Sequence, residues 1–227
     1  MILIMIKSLV TGGAGFIGSN LVDILISLGH EVVCIDNEYA DNEFFYWNKK
    51  AKNFKVDITK YNEIKDLFKS VDYVFHMAAE SRIGPAIKNP LKAFEINILG
   101  TSNILQCSRE NNIKRLIYSS TSSGYGLNNI PNIETQLDDC LNPYSVSKIG
   151  AEKICKMYSD FYSLPTIILR YFNVYGERAP TKGQYAPVIG IFLRQKKEGQ
   201  NLTVIGDGEQ KRDFVYVGDV VEANINA

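Results

Sequence analysis

The chain has 227 residues, of which 45% are apolar and 22% are charged, as in a folded globular protein of one or two domains. Equal numbers of basic and acidic side chains, 25 of each, exclude a general attraction to nucleic acid or an anionic membrane. Two histidines and four widely spaced cysteines are poor material for a metal site. We therefore expect a cytoplasmic protein with reduced cysteines and without metal, nucleic-acid or membrane partners.

Short apolar runs alternate with segments of helical periodicity up to about residue 170, which is typical of βαβ units around a parallel sheet. Strands are predicted at residues 4–11, 32–36, 54–56, 73–76, 115–119 and 166–170. The apolar N-terminus is interpreted as the first strand and not as a signal segment, because it is short and no basic residue precedes it. Helices are predicted at residues 17–28, 61–69, 90–111 and 143–162.

The pattern changes after residue 170 to a loop-rich stretch, followed by a predicted helix at residues 188–198 and another that begins near Gly218. This change predicts two parts, a larger domain at residues 1–170 and a smaller lobe at residues 171–227. The last predicted helix meets the end of the sequence without a glycine or proline to close it. We therefore expect the smaller lobe to be truncated at its C-terminus.

A glycine-rich segment at residues 11–18, Thr-Gly-Gly-Ala-Gly-Phe-Ile-Gly, lies between the first predicted strand and the first predicted helix. Its glycines let a pyrophosphate approach the backbone N–H groups at the start of a helix. Asp36 ends the second predicted strand, where a carboxylate binds the ribose hydroxyls of NAD and disfavours the 2′-phosphate of NADP. The fold class predicted is therefore α/β, a Rossmann-type doubly wound parallel sheet. Asp57 and Ile58 are either an adenine contact or the N-cap of a helix.

Tyr144 and Lys148 are four residues apart on a predicted helix, so they share a face. A tyrosine that acts as a base near neutral pH needs a pKa lowered by about 3 units, and a neighbouring ammonium and a cationic nicotinamide both act in that direction. The same spacing also occurs on amphipathic helices without any chemistry. A run of hydroxyl side chains at residues 118–126, at the end of the fifth predicted strand where parallel sheets bind ligands, favours the catalytic interpretation over a serine-rich turn.

Several motifs in this order resemble those of the extended short-chain dehydrogenase/reductases that act on nucleotide sugars. The matching segments are residues 11–18, 76–80, 97 with 100–101, 118–126, 144 with 148, 170–176 and 212–216, so the resemblance covers essentially the whole chain. It implies that NAD is the cofactor and that Thr121, Tyr144 and Lys148 are catalytic. It also implies a homodimer that pairs helices at residues 97–107 and 144–158.

The resemblance assigns two further groups of residues by position. The expected cofactor contacts are Gly12, Gly15, Phe16, Ile17, Gly18, Asp36, Asn37, Asp57, Ile58, Ala78, Ala79, Asn97, Ser119, Tyr144, Lys148 and Tyr171. The expected contacts to the sugar nucleotide are Ser81, Thr121, Ser122, Asn173 and Arg212.

The two residues after Thr121 bear on the reaction. Related dehydratases carry an acid pair or a lone glutamate there, and related decarboxylases usually carry a glutamate, whereas this chain has Ser122 and Ser123. Serine is poorly suited to moving the protons that loss of water requires, although residues 76–81 resemble the dehydratase version of that loop. We therefore expect an isomerase, a nucleotide-sugar 4-epimerase that works through transient oxidation. The alternatives are a nucleotide-sugar dehydrogenase, reductase or dehydratase.

A further alternative follows from the length of the resembling proteins, which generally continue past the position of Ala227 and supply another part of the sugar-nucleotide site. The chain could then be a truncated NAD-binding protein with little activity. The substrate is left open among UDP-hexoses such as UDP-glucose, UDP-N-acetylhexosamines and UDP-glucuronate.

Overall fold

A six-stranded parallel sheet is the centre of the fold, which a computed structural model describes for residues 5–40, 44–183 and 186–227. Its strand order is β3-β2-β1-β4-β5-β6. The strands are β1 Lys7–Thr11, β2 Glu31–Asp36, β3 Lys52–Lys55, β4 Tyr73–His76, β5 Arg115–Thr121 and β6 Thr166–Tyr171. Because the order reverses between β1 and β4, the sheet is doubly wound, and the predicted fold class is confirmed. All six predicted strands are present, and residue 4 of the first lies outside the described residues.

Eight α-helices are found in the described part of the chain. They are α1 Phe16–Ser27, α2 Tyr61–Ile64, α3 Ile83–Lys88, α4 Pro90–Phe94, α5 Thr101–Glu110, α6 Pro143–Tyr162, α7 Val188–Lys197 and α8 Val217–Asn226. Two 3-10 segments, Lys65–Phe68 and Ser122–Tyr125, and one π-helical segment, Glu95–Gly100, complete the helical structure. The predicted helix at residues 90–111 is therefore divided into three pieces by the π-helical turn. Two short strands that were not predicted, β7 Asn173–Tyr175 and β8 Phe214–Tyr216, form a separate parallel pair.

The strand side chains alternate between two apolar clusters, one on each face of the sheet. Leu9, Ile35 and Leu116 belong to one cluster, whereas Val10 and Ile117 belong to the other. This alternation follows from the period of two residues along a strand. Both faces are covered by helices, as parallel sheets require, so the backbone at the strand ends is held rigidly.

Helix α8 packs against α1. Its Val221 joins the same apolar cluster as Val10 and Leu21. The predicted division into residues 1–170 and 171–227 places α8 in the smaller lobe, yet this helix shares its core with the sheet. The boundary at residue 170 stays a prediction.

The turns before β4, β5 and β6 share an unusual backbone conformation. Ser70, Asn112 and Ser163 have φ angles of 59°, 52° and 52°, in the left-handed region that costs non-glycine residues free energy. Gly29, before β2, uses the same region at a φ of 85°. These turns lie at the amino ends of the parallel strands, opposite the carboxyl ends where ligands bind in such sheets.

Candidate active site

The glycine loop between β1 and α1 approaches the carboxyl end of β4 so closely that side chains are excluded. A Cβ at Gly12, whose φ is 67°, would lie 2.8 Å from the backbone nitrogen of Ala78, and one at Gly18 would lie 2.1 Å from the carbonyl oxygen of Gly12. The Thr11 hydroxyl fixes this approach, because it accepts hydrogen bonds from the N–H groups of Met77, at 3.1 Å, and Ala78, at 3.0 Å. The loop therefore presents bare backbone beside the N-terminus of α1.

His76 lies beneath this loop, between two threonine hydroxyls. Its Nδ1 is 2.7 Å from the Oγ1 of Thr11, and its Nε2 is 2.9 Å from the Oγ1 of Thr101. Complete burial lowers the pKa of His76 to about 3, with a smaller contribution from the charge of Lys148. The imidazole is therefore neutral and holds the ends of β1 and β4 to α5.

Two carboxylates lie at the ends of β2 and β3. The Asp36 carboxylate accepts hydrogen bonds from the N–H groups of Ala14, at 3.2 Å, and Glu38, at 2.8 Å. Burial raises the pKa of Asp36, and these backbone hydrogen bonds oppose that shift. Asp57 accepts a hydrogen bond of 3.0 Å from the side-chain amide of Asn37. This edge of the sheet therefore carries a fixed acceptor at the place where the ribose of a dinucleotide lies in such folds.

Helix α6 begins with a complete capping box that fixes its first turn. The side chain of Asn142 accepts a hydrogen bond of 2.9 Å from the Ser145 N–H, and the Ser145 hydroxyl accepts one of 3.3 Å from the Asn142 N–H. Tyr144 lies within this turn. One turn later, the ammonium of Lys148 donates a hydrogen bond of 2.6 Å to the carbonyl oxygen of Ser119.

Burial shifts the pKa of Tyr144 and of Lys148 in the direction that favours the neutral form of each side chain. It lowers the pKa of Lys148 to about 7. It raises the pKa of Tyr144, while a hydrogen bond from Thr121 and the charge of Arg82 act in the opposite direction. Burial outweighs these two contributions, and Lys148 is not among the groups that lower the pKa of Tyr144, although the sequence led us to expect that it would be. The physical reason is that the Lys148 ammonium is directed at the Ser119 carbonyl and lies 4.2 Å from the centre of the Tyr118 ring.

A single cavity of about 520 Å³ brings most of the predicted site residues together, within the size range of small-molecule sites. Its lining includes Gly12, Gly15, Phe16, Ile17, Gly18, Asp36, Asn37, Asp57, Ile58, Ala78, Ala79, Ser81, Ser119, Thr121, Ser122, Tyr144, Lys148, Tyr171 and Asn173. The cavity thus runs from the glycine loop to the hydroxyl run at the end of β5.

Two predicted site residues do not line this cavity. Asn97 is buried, and its amide nitrogen donates hydrogen bonds to the Glu80 carbonyl, at 3.0 Å, and to the Ser147 hydroxyl, at 2.8 Å. It therefore ties the segment after β4 to α6 instead of facing the cavity. Arg212 is exposed, and its guanidinium donates a hydrogen bond of 2.7 Å to the Lys211 carbonyl.

Several residues that line the cavity were not predicted from the sequence, including Tyr39, Arg82, Phe172, Pro180 and Pro187. Arg82 and Phe172 directly follow residues that were predicted, so extending those motifs by one position finds them. Pro180 and Pro187 lie in the loop-rich stretch, which gave no signal for them.

The residues present fit a dinucleotide. The bare backbone of the glycine loop suits a pyrophosphate, and the Asp36 carboxylate suits ribose hydroxyls. The charged residues among the described cavity lining are Asp36, Asp57, Arg82 and Lys148. Within the described residues, no cluster of three or more His, Cys, Asp or Glu side chains could hold a metal ion. Nor does any described helix have the length and apolar character needed to cross a membrane.

The fold and the cavity define a dinucleotide-binding α/β enzyme. A sequence profile of the NAD-dependent epimerase/dehydratase family matches residues 8–227, so the chain belongs to this family. The resemblance inferred from the motifs is thereby confirmed, and so is NAD as the cofactor.

Three similar proteins show the range of this family. A provisionally named UDP-glucose 4-epimerase of Methanocaldococcus jannaschii is 42% identical, over 96% of this chain and 72% of that protein. A UDP-N-acetyl-α-D-glucosaminuronate decarboxylase of Bacillus cytotoxicus is 38% identical, over 97% of this chain and 70% of that protein. The solved structure of UDP-N-acetylglucosamine 4-epimerase from Methanobrevibacter ruminantium M1, in complex with UDP-N-acetylmuramic acid, has a TM-score of 0.92 and 36% identity, over 97% of this chain and 72% of that one.

Proposed function

We propose that this protein is a nucleotide-sugar 4-epimerase that inverts carbon 4 through a transient 4-keto sugar. The observation that carries the proposal is the placement of Thr121, Tyr144 and Lys148 in the same cavity as the glycine loop and Asp36. The names of the similar epimerases support it. A UDP-hexose, a UDP-N-acetylhexosamine and UDP-glucuronate are the candidate substrates, and their sugar-nucleotide contacts are proposed at Ser81, Ser122 and Asn173.

The roles of the side chains follow from their chemistry. Tyr144 takes the proton of the carbon-4 hydroxyl and later returns it, so it serves as both base and acid. Thr121 donates a hydrogen bond that favours the phenolate. Lys148, through its hydrogen bond of 2.6 Å to the Ser119 carbonyl, holds the end of β5 against the face of α6 that carries Tyr144. Bound NAD supplies the reversible two-electron oxidation of carbon 4, and its positive ring favours the phenolate further.

The similar decarboxylase makes decarboxylation or dehydration the second candidate. Both reactions benefit from a carboxylate or carboxylic acid next to the reacting carbons. The residues after Thr121 are Ser122 and Ser123, and the carboxylates of the described cavity lining, Asp36 and Asp57, lie at the other end, by the glycine loop. Epimerisation needs no such group, because the same tyrosine serves both half-reactions.

Product analysis by NMR distinguishes these reactions. The protein is incubated with NAD and, in turn, with UDP-glucose, UDP-N-acetylglucosamine and UDP-glucuronate. Epimerisation yields the corresponding 4-epimer at equilibrium. A pentose product from UDP-glucuronate would establish decarboxylation, and a 4-keto-6-deoxy sugar would establish dehydration. Binding of NAD without any product from the three sugars would instead favour a protein with little activity.

The variant Tyr144→Phe tests the role of the base. It removes one ionisable oxygen, so turnover should fall by at least about 1000-fold while NAD binding is retained. Thr121→Ala should have a milder effect, since the neighbouring serines offer replacement donors, and Thr121→Ser is the matched control. A Tyr144→Phe enzyme with near-normal turnover would exclude Tyr144 as the base.

A homodimer and a cytoplasmic location belong to the same proposal. Leu91, Leu99, Val146 and Phe161 lie on α4, the π-helical segment and α6 with exposed fractions of 78%, 48%, 46% and 80%, which supports helix pairing with a second copy. A monomer in sedimentation velocity at micromolar concentration would contradict the dimer. The four cysteines are free, which supports a reducing compartment.

A further inference from the structure

Arg170 lies at the centre of a largely buried ionic network beside the proposed site. It belongs to β6, where it pairs with Ser120 of β5, while Thr121 pairs with Tyr171. Its guanidinium holds two carboxylates at once. Nε and Nη2 donate to Glu152 at 2.9 Å and 2.7 Å, and Nη2 also donates to Asp138 at 2.7 Å.

Each partner of Arg170 belongs to a segment that places a proposed catalytic side chain. Glu152 lies on α6, one turn after Lys148 and nine residues from the start of the helix at Pro143, and it also accepts a hydrogen bond from the Ser120 hydroxyl. Asp138 lies just before Asn142, the residue that caps α6 ahead of Tyr144. The ring of Tyr125, at the end of the 3-10 turn that follows Thr121, lies 4.9 Å from the guanidinium carbon.

The network therefore fixes the end of β5 relative to the first turns of α6, because Arg170 bonds one residue within α6, Glu152, and one that precedes it, Asp138. Three hydrogen bonds run between β5 and α6: from Lys148 to the Ser119 carbonyl, from Ser120 to Glu152, and from the Tyr118 hydroxyl to the Lys148 carbonyl. The side chains of Arg170, Glu152 and Asp138 are only 15%, 10% and 19% exposed, so solvent weakens these bonds little. Thr121 ends β5 and Tyr144 lies in the first turn of α6, so the distance between them depends on how these two elements are held together.

We propose that Arg170, through Glu152 and Asp138, is a positioning residue that holds Thr121 and Tyr144 in their reactive arrangement. The inference rests on the proposed 4-epimerase function. The rigid planar guanidinium donates from two nitrogens to the Glu152 carboxylate and also reaches Asp138, a forked geometry that the compact ammonium of lysine lacks. Arg170→Lys therefore keeps the charge and removes the geometry.

The test is a double-mutant cycle of Arg170→Lys and Thr121→Ala, with kcat and KM measured across pH for all four proteins. Arg170→Lys should lower kcat by about 10- to 100-fold and change KM by less than about threefold, because misplaced reacting groups affect mainly the chemical step. In the Thr121→Ala background the same change should lower kcat by less than about threefold, because the pair it positions is already broken. Equal factors in the two backgrounds would overturn the proposal, and so would a change confined to KM.

The pH profile gives a second readout that a loss of general stability would not move. The Thr121 hydroxyl lowers the pKa of Tyr144, so Thr121→Ala should shift the rising limb of kcat to higher pH. Arg170→Lys should shift this rising limb in the same direction, and an unchanged limb would overturn the proposal.

If Arg170→Lys does not fold, Asp138→Asn enters the double-mutant cycle in its place, with Asp72→Asn as its matched control. Asp72 pairs with Lys114 at 2.8 Å, at the amino ends of the strands, and its substitution should leave kcat unchanged.

Failure of the proposed function is distinguishable from failure of this inference. The ionisation of Tyr144 can be followed without turnover, as the difference in phenolate absorbance between the protein and its Tyr144→Phe variant. An upward shift of this titration in Arg170→Lys supports the positioning role even for a protein that does not epimerise any sugar. An unshifted titration overturns it.

Discussion

At the scale of single residues, His76 is buried in its neutral form, and this burial should make the folded protein less stable at acid pH. An unfolded histidine titrates near 6.5, whereas burial holds the folded pKa at about 3. Between these pH values the unfolded chain binds a proton at His76 and the folded protein does not. The unfolding free energy is therefore highest above pH 6.5 and falls as the pH drops towards 3.

The expected effect is a loss of about 2 kcal/mol of unfolding free energy from His76 alone between pH 6.5 and 4.5, since the slope reaches about 1.4 kcal/mol per pH unit only once the unfolded histidine is mostly protonated. His76→Gln cannot titrate, so its unfolding free energy in urea should fall less steeply over this range. His30→Gln is the matched control, because His30 is only partly buried and its pKa is lowered less. Identical slopes for the protein and His76→Gln would contradict the assignment.

Asp36 is the residue expected to make the protein bind NAD in preference to NADP. Its carboxylate is fixed by the N–H groups of Ala14 and Glu38, and it would repel a 2′-phosphate. Asp36→Ala should therefore weaken NAD by about tenfold or more, as expected for lost hydrogen bonds to a charged group, and weaken NADP less. Calorimetric titration with both cofactors measures this ratio, and Asp57→Asn is the control for the second carboxylate. Equal affinity of the unsubstituted protein for both would rule out this role.

At the scale of elements, the left-handed residue that ends α6 predicts a stabilising substitution. Ser163 has a φ of 52°, and glycine adopts this conformation without the steric cost of a Cβ. Ser163→Gly should raise the unfolding free energy by about 0.5 to 1 kcal/mol. Ser159→Gly, within the same helix, should lower it by about 1 kcal/mol. Urea unfolding of both variants checks the opposite signs, and destabilisation by both would refute the argument.

The same elements show how far sequence patterns reach. Helix α6 was predicted with its observed bounds, Pro143–Tyr162, because a proline starts it and its apolar residues recur at helical spacing. The helix predicted at residues 90–111 is interrupted by the π-helical turn Glu95–Gly100. There Gly100 packs so closely on Ile58 that a Cβ would lie 2.6 Å from its Cδ1 atom, a tertiary contact that local periodicity cannot reveal.

The short strands β7 and β8 were missed for a related reason. Each has three residues, too few for an alternating pattern, and each is paired only with a segment about 40 residues away in the chain. The site shows the same limit. The glycine loop and Asp36 were located by local sequence, whereas the turn of Asn97 towards Glu80 and Ser147 depends on packing between distant elements.

At the scale of the whole molecule, Arg178 connects its own loop after β7 with α1 and with the segment that contains Tyr46. Its guanidinium bonds Asp23 of α1 at 2.5 Å and lies 5.2 Å from the centre of the Tyr46 ring. Tyr46 in turn donates a backbone hydrogen bond of 2.8 Å to Ala14 of the glycine loop. The loop-rich stretch after β7 is thus tied to α1 and, through Tyr46, to the glycine loop.

Arg178→Ala should therefore speed the release of NAD. A partly exposed ion pair contributes up to about 1 kcal/mol, so an increase of up to about fivefold in the dissociation rate is expected, measured by stopped-flow displacement. Arg109→Ala is the matched control, since Arg109 also lies over a tyrosine ring, that of Tyr162, at 3.9 Å. An unchanged release rate in Arg178→Ala would show that this contact does not retain the cofactor.

The left-handed turns before β4, β5 and β6 have a practical consequence. Because the strands are parallel, Ser70, Asn112 and Ser163 all lie at the edge of the sheet that faces away from the cavity. Loops grafted into these turns would not alter the segments that form the cavity, which leave the strands at the other edge. This edge is therefore the place to attach the protein to a sensor surface or a fluorescent reporter, with the cavity left open to solution.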